Sequence, residues 1–289
     1  MTSIRPRRSV LYMPGSNARA LDKARTLPAD ALILDLEDAV APDAKELARS
    51  QVCDAVKAKG FGKREIIIRI NGLATPWGEA DLAAAADAGP DAILVPKISS
   101  ARELNVIEAK LGGADAAIAV WAMVETPLAI LNIAAIAGAG GRLACFVMGT
   151  NDLVKEIRGV HTQDRMNLAA ALSLCVLAAR ANGLAAIDGV YNDIQNADGF
   201  EATAEQARAF GFDGKTLIHP TQIEPCNAVF APSAEDVEAA RKLIAAFELP
   251  QNKGKGAIKL DGRMVELLHA DIARGTVAMA DAIAALEAA

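Results

Sequence analysis

Short apolar runs alternate along this chain with longer stretches of helical spacing. The runs span residues 9–13, 31–36, 65–70, 92–96, 118–124, 143–148, 184–190 and 215–218. Each is rich in branched aliphatic residues and stops against Gly, Pro, Asn or an acidic residue, as buried strands do. Between them, stretches such as 18–26, 45–59 and 167–181 repeat apolar residues at helical intervals. Parallel neighbours need a helical crossover, and near-continuous apolar strands fit a sheet covered on both faces. Eight such units predict an α/β fold of the (β/α)8 TIM-barrel type. A doubly wound open sheet, which usually has fewer strands, is the competing arrangement.

The pattern changes after His219-Pro220. Residues 234–247 read as a helix, and the polar run from Pro250 to Gly256 reads as a hinge. Residues 257–260 and 263–265 flank Asp261-Gly262, which predicts a hairpin with a type I′ turn. Residues 267–286 read as a closing helix. The expected division is a TIM-barrel catalytic domain over 1–230 and a C-terminal helical and hairpin extension over 231–289, serving as a lid, an oligomer contact or both.

Composition narrows the class. The 289 residues are 52% apolar and 4% aromatic, with a net charge of -6. That apolar fraction excludes intrinsic disorder, and the mild acidity argues against a nucleic-acid-binding surface. No apolar run approaches the roughly 18 residues of a membrane span. Arg5, Arg7 and Arg8 precede only a four-residue apolar run, too short for a signal segment. Cys53, Cys145, Cys175 and Cys226 contain no C-x-x-C pair and read as buried, reduced thiols. A soluble, cytoplasmic protein with no membrane or nucleic-acid partner is expected.

In a barrel of this kind the active site lies at the C-terminal ends of the strands. Polar residues recur there: Asp35, Glu37 and Asp38, then Arg69 and Asn71, Lys97, Glu125, Asn151 and Asp152, Asp188 and Asn192, and His219. A helix cap accounts for Asp38 or Asp152 alone. Seven ends of eight are read as converging on one mouth. Glu125 and Asp152 end consecutive strands and, with no His or Cys beside them, suit a hard cation such as Mg²⁺. Arg69 offers a planar fork for a carboxylate or a developing oxyanion, with Asp35 and Glu37 as its ion-pair partners and candidate catalytic carboxylates. Gly149, Thr150 and Asn151 are candidate substrate contacts. No P-loop, G-x-S-x-G or HExxH motif occurs.

Ser9–Asn17, Leu34–Val40, Ile68–Gly72, Val95-Pro96-Lys97, Met123–Thr126 and Gly149–Leu153 together resemble the citrate lyase β-subunit-like family of the HpcH/HpaI aldolase superfamily. The resemblance implies Mg²⁺ on Glu125 and Asp152, Arg69 at the reacting carbonyl, and a CoA thioester with a small 2-oxo or 2-hydroxy acid as substrates. It also implies a homotrimer or hexamer whose C-terminal segment reaches a neighbouring active site. Arg8, Arg19 and Lys23 then become candidate contacts for CoA phosphates. Family members place an acidic residue in a Met-Ile/Val-Asp context near the C-terminus; here Met264-Val265-Glu266 carries Glu instead. The expected activity is Mg²⁺-dependent lysis of a malyl-CoA-type ester into a 2-oxo acid, such as glyoxylate, and an acyl-CoA. The alternative is hydrolysis of the thioester, because Val190-Tyr191-Asn192 and Asp213–Pro220 also resemble the (3S)-malyl-CoA thioesterase branch; Glu266 is a candidate to activate water there. A carrier-dependent citrate lyase β-type subunit is a further alternative.

Overall fold

Eight parallel strands pair in sequence order and close on themselves: β1 (Ser9–Pro14), β2 (Ala31–Asp35), β3 (Glu65–Arg69), β4 (Ala92–Val95), β5 (Ala119–Val124), β6 (Leu143–Met148), β7 (Ala185–Asp188) and β8 (Gly214–Leu217). This computed structural model describes residues 4–288. Closure excludes the open sheet, and the fold is an α/β TIM barrel. Each apolar run of the sequence falls on one strand.

Side-chain alternation divides the strands into two faces. Val10, Ile33, Ile67, Leu94, Trp121, Val147 and Ile187 fill the barrel interior. Leu11, Leu32, Leu34, Ile68, Ile93, Val120 and Phe146 point outward and pack under the helices. The interior is therefore filled rather than open, and ligands can enter only at an end. The N-terminal end is plugged. The Arg7 guanidinium lies 5.1 Å from the Trp121 ring centroid and pairs with Glu65 at 2.6 Å.

The same alternation corrects one expectation. Ile187 faces in, so Asp188 faces out and does not join the mouth. Instead it is fully buried between sheet and helices, accepting hydrogen bonds from Lys215 Nζ at 2.7 Å and from Arg165 Nη1 at 2.8 and 2.9 Å. The two cations hold the Asp188 carboxyl below its usual range against the opposing effect of burial. Removing one partner of a buried ion cluster leaves a charge without compensation. Asp188→Asn is accordingly expected to cost about 3–5 kcal/mol of unfolding free energy, measured by urea unfolding. A loss below about 1 kcal/mol would mean the cluster contributes no more than a surface pair.

The chain separates into two compact units, one running from Arg7 to Phe230 and holding the barrel. The other contains Ala231 onward, with residues 4–6. In it the helices Ala234–Glu248 and Leu267–Glu287 pack together, and Phe247, Ile258 and Ala270 form their shared core. β9 (Ala257–Leu260) and β10 (Arg263–Glu266) pair antiparallel. Asp261 and Gly262 take φ of 49° and 82°, the positive values a type I′ turn requires.

Candidate active site

The C-terminal ends of the barrel strands surround a cavity of about 310 Å³. Tyr12, Asp35, Arg69, Met123, Glu125, Gly149, Thr150, Asn151 and Asp152 are among its walls. All the lining residues belong to the barrel unit.

Arg69 ends β3 and is 5% exposed. Its Nε and Nη2 each donate to one oxygen of Asp35 at 2.6 Å, the bidentate geometry that best matches a guanidinium to a carboxylate. Asp35 also accepts the amides of Glu37 at 2.9 Å and Ala39 at 3.0 Å. Both its oxygens are thus doubly occupied, which fixes Arg69 and leaves Asp35 no free lone pair for chemistry on a substrate. Arg69 Nη1 faces Asp38 at 3.3 Å and Glu37 Oε2 at 2.9 Å. The Glu37 contact lies off the N–H direction, so it is an ion contact without a hydrogen bond.

A polar girdle holds the loop that carries Glu37. The buried Lys45 ammonium donates to the carbonyls of Leu36 and Glu37 and to Asn71 Oδ1, at 2.8–2.9 Å. Asn71 in turn donates to Leu36 O and Asp81. Asn71, expected at the mouth from its place after β3, is therefore a support behind it.

Burial pushes the Glu37 carboxyl up to about 8; Arg69 opposes this, while Asp38, Glu125 and Asp35 reinforce it. The unfolded chain releases this proton near the ordinary 4.5, whereas the fold retains it to about 8. The unfolded state then binds fewer protons in that window, so stability falls as pH rises through it. In chelator, Glu37→Gln is expected to gain stability relative to the parent from pH 4.5 to 8, then level off. Urea unfolding across that range checks this; a pH-independent difference contradicts it.

Glu125 follows β5 and is 1% exposed. Its Oε1 accepts the Lys97 amide at 2.8 Å. Lys97 holds a φ of 55°, a left-handed conformation costly for a non-glycine residue. Its ammonium lies 3.6 Å from Asp152, at the start of the helix Thr150–Glu156. The intervening Gly149 is required by packing, because a Cβ there would lie 2.4 Å from Glu125 Cβ and 2.5 Å from Oε2. Burial and the Asp152 charge push the Glu125 carboxyl up to about 7. Two mutually repelling carboxylates on one cavity wall form a donor set that a divalent cation would relieve. Among the described residues no cluster of three or more His, Cys, Asp or Glu could enclose a metal. Two protein oxygens with the remaining positions left to water and substrate is the habit of Mg²⁺ rather than of zinc.

Other expected contacts are distributed differently. Thr150 and Asn151 line the cavity, and Asn151 exchanges amide hydrogen bonds with Asn192 at 2.8 and 3.1 Å. Arg19 and Lys23 are exposed on the helix Ala18–Ala24, which follows the C-terminal end of β1. Arg8 is a correction. It precedes β1, so it sits at the N-terminal end of the barrel, buried and bound to Asp30 at 2.9 Å, away from any ligand at the mouth. Glu266 belongs to the second unit, where it caps the helix Leu267–Glu287 and is exposed. His219 caps the turn at Pro220–Gln222 through its own Nδ1. Lys97 stands beside Asp152 as its strand end predicts, whereas Tyr12 is an addition to the polar strand ends. Strand alternation was the available signal for Tyr12, which shares the inward face of β1 with Val10.

A filled parallel barrel whose mouth gathers a buried arginine and paired carboxylates defines an enzyme working at the strand ends. Comparison with known proteins gives the family. Residues 8–220 match the HpcH/HpaI aldolase/citrate lyase model, and the chain belongs to that family. It is 51% identical to a protein of Cereibacter sphaeroides strain KD131 named (3S)-malyl-CoA thioesterase, over 98% of each chain. It is 35% identical to the citrate lyase subunit beta of Escherichia coli K12, over 96% of this chain and 94% of that one. A crystal structure of protein CitE from Mycobacterium tuberculosis, in complex with magnesium, acetoacetate and coenzyme A, is similar at a TM-score of 0.74. It is 30% identical, covering 93% of this chain and 97% of that one.

Proposed function

We propose that this enzyme hydrolyses a (3S)-malyl-CoA-type thioester to malate and CoA, with Mg²⁺ held by Glu125 and Asp152. The observation that carries the reading is the charge of the mouth. Asp35, Asp38, Glu125 and Asp152 line the cavity, and Arg69 is the one cation among its described lining residues. An anionic acyl group enters such a site only with a cation. The magnesium, acetoacetate and coenzyme A in the Mycobacterium tuberculosis structure support the ion, a small acid and the CoA moiety, and the name of the Cereibacter sphaeroides relative supports a thioester and its hydrolysis.

Bound there, the ion would polarise a substrate oxygen and neutralise charge. Arg69, oriented by Asp35, presents its second Nη2 N–H, and Nη1 in exchange for its long contacts to Asp38 and Met123, to the acid end or to the oxygen on which negative charge builds. Gly149, Thr150 and Asn151 wall the acyl group. Arg19 and Lys23 supply exposed positive charge for CoA phosphates outside the cavity. Water adds to the thioester carbonyl, the carbon–sulfur bond breaks, and the proton taken from water is returned to the departing thiolate. Glu266, delivered from a neighbouring copy within a homotrimer or hexamer, is assigned to accept that proton. The four buried thiols suit the reducing cytoplasm, where we place the protein.

Carbon–carbon cleavage to glyoxylate and an acyl-CoA is the second reading, favoured by the likeness to citrate lyase β subunits. Dependence on a carrier protein is tested first. Purified protein with (3S)-malyl-CoA and Mg²⁺ is expected to turn over the free CoA ester and to stop when the metal is chelated. No turnover without an acyl-carrier protein would overturn the assignment to a free CoA ester.

A further inference from the structure

The Tyr12 hydroxyl is buried at the mouth with no hydrogen-bond partner among the described residues. The Tyr12 ring lies against the Arg69 guanidinium, 4.7 Å from carbon to centroid, and lines the same cavity as Glu125 and Asp152. Burial holds the phenol above its ordinary titration range; Arg69 opposes this, and Asp35, Glu125 and Glu37 reinforce it. The group therefore remains a neutral donor at any working pH. A buried donor left unpaired carries a desolvation penalty that nothing in the fold offsets. Phenylalanine would fill the same space without that cost, so packing alone does not account for the hydroxyl.

We propose that Tyr12 is a substrate-binding residue whose hydroxyl donates a hydrogen bond to an oxygen of the malyl group, beside the Arg69 fork. The assignment rests on the hydrolase reading for its ligand. Its position favours the acid end, because a cavity of about 310 Å³ holds a four-carbon acid while the bulk of CoA stays outside. A hydrogen bond to a charged group is worth about 10–100-fold in affinity. Since the contact would be present in both the bound substrate and the transition state, it raises KM and leaves kcat near the parent value when lost.

The chain has two tyrosines, Tyr12 and Tyr191. Ring-carbon labelling of tyrosine therefore gives two resonances, which Tyr191→Phe assigns. With Mg²⁺ present, L-malate is expected to shift the Tyr12 resonance. Tyr12→Phe should weaken malate binding in calorimetry by about 10–100-fold and raise KM by a similar factor. The ligand-free variant should be at least as stable as the parent in urea, since it loses an unpaired polar group. Unchanged malate affinity in Tyr12→Phe overturns the proposal, as does a parent protein that binds no malate. A destabilised ligand-free variant with unchanged malate affinity would instead assign the hydroxyl to a buried water, with the unpaired Trp121 Nε1 in the same inner cluster as a further partner. Malate binding with the Tyr12 shift but no thioester turnover sinks the hydrolase reading and leaves this contact standing. Turnover with no effect of Tyr12→Phe does the reverse.

Discussion

Glu125→Gln is expected to abolish Mg²⁺-dependent turnover and to weaken Mg²⁺ binding by more than about 100-fold, the upper range for losing even an outer partner of a metal ligand. The amide keeps the shape of the carboxylate, so the Lys97 N–H bond to the side-chain oxygen survives. What disappears is half the anionic charge that Glu125 and Asp152 jointly present. The ligand-free variant should therefore be no less stable than the parent, because the repulsion between the two carboxylates is relieved as well. Calorimetric Mg²⁺ titration and thermal unfolding with and without Mg²⁺ separate these effects. A ligand that binds only the folded state raises its stability in proportion to its affinity, so the parent should gain stability from Mg²⁺ and the variant should not. Equal Mg²⁺ affinity in both proteins would remove Glu125 from the metal site.

Arg69→Lys is expected to lower kcat/KM by about 100–1,000-fold, the range for removing a donor aimed at a developing charge. Lysine keeps the positive charge but not the planar fork that engages both Asp35 oxygens at 2.6 Å. The change also tests whether charge or geometry matters at this position. Full activity in Arg69→Lys, measured over a substrate range that resolves kcat from KM, would reduce Arg69 to a counter-ion for its three carboxylates.

The barrel was legible because its determinant is periodic: eight apolar runs, each stopped by a turn residue and separated by a helix, permit few other closures. The hairpin was equally legible, since Asp261-Gly262 accepts the positive φ values its turn requires. At the mouth, Arg69, Glu125 and Asp152 could be placed from strand order. Errors arose where position along a strand was read without regard to which face, or which end, it occupies. Asp188 lies one residue beyond an inward Ile187 and so turns toward Lys215 and Arg165. Arg8 lies one residue before β1 and so falls at the closed end. The reverse error hid Tyr12, since an aromatic on an inward strand position resembles ordinary core. That its hydroxyl has no partner among the described residues is a property of the folded packing, which no sequence pattern encodes.

The most direct test of the account is a product analysis. Protein incubated with (3S)-malyl-CoA and Mg²⁺ is sampled over time, and free CoA thiol, malate and glyoxylate are quantified in the same samples. Hydrolysis at this mouth predicts thiol and malate in equal amounts, with no glyoxylate. Equimolar glyoxylate and acetyl-CoA without free thiol would contradict it and assign the site to carbon–carbon cleavage.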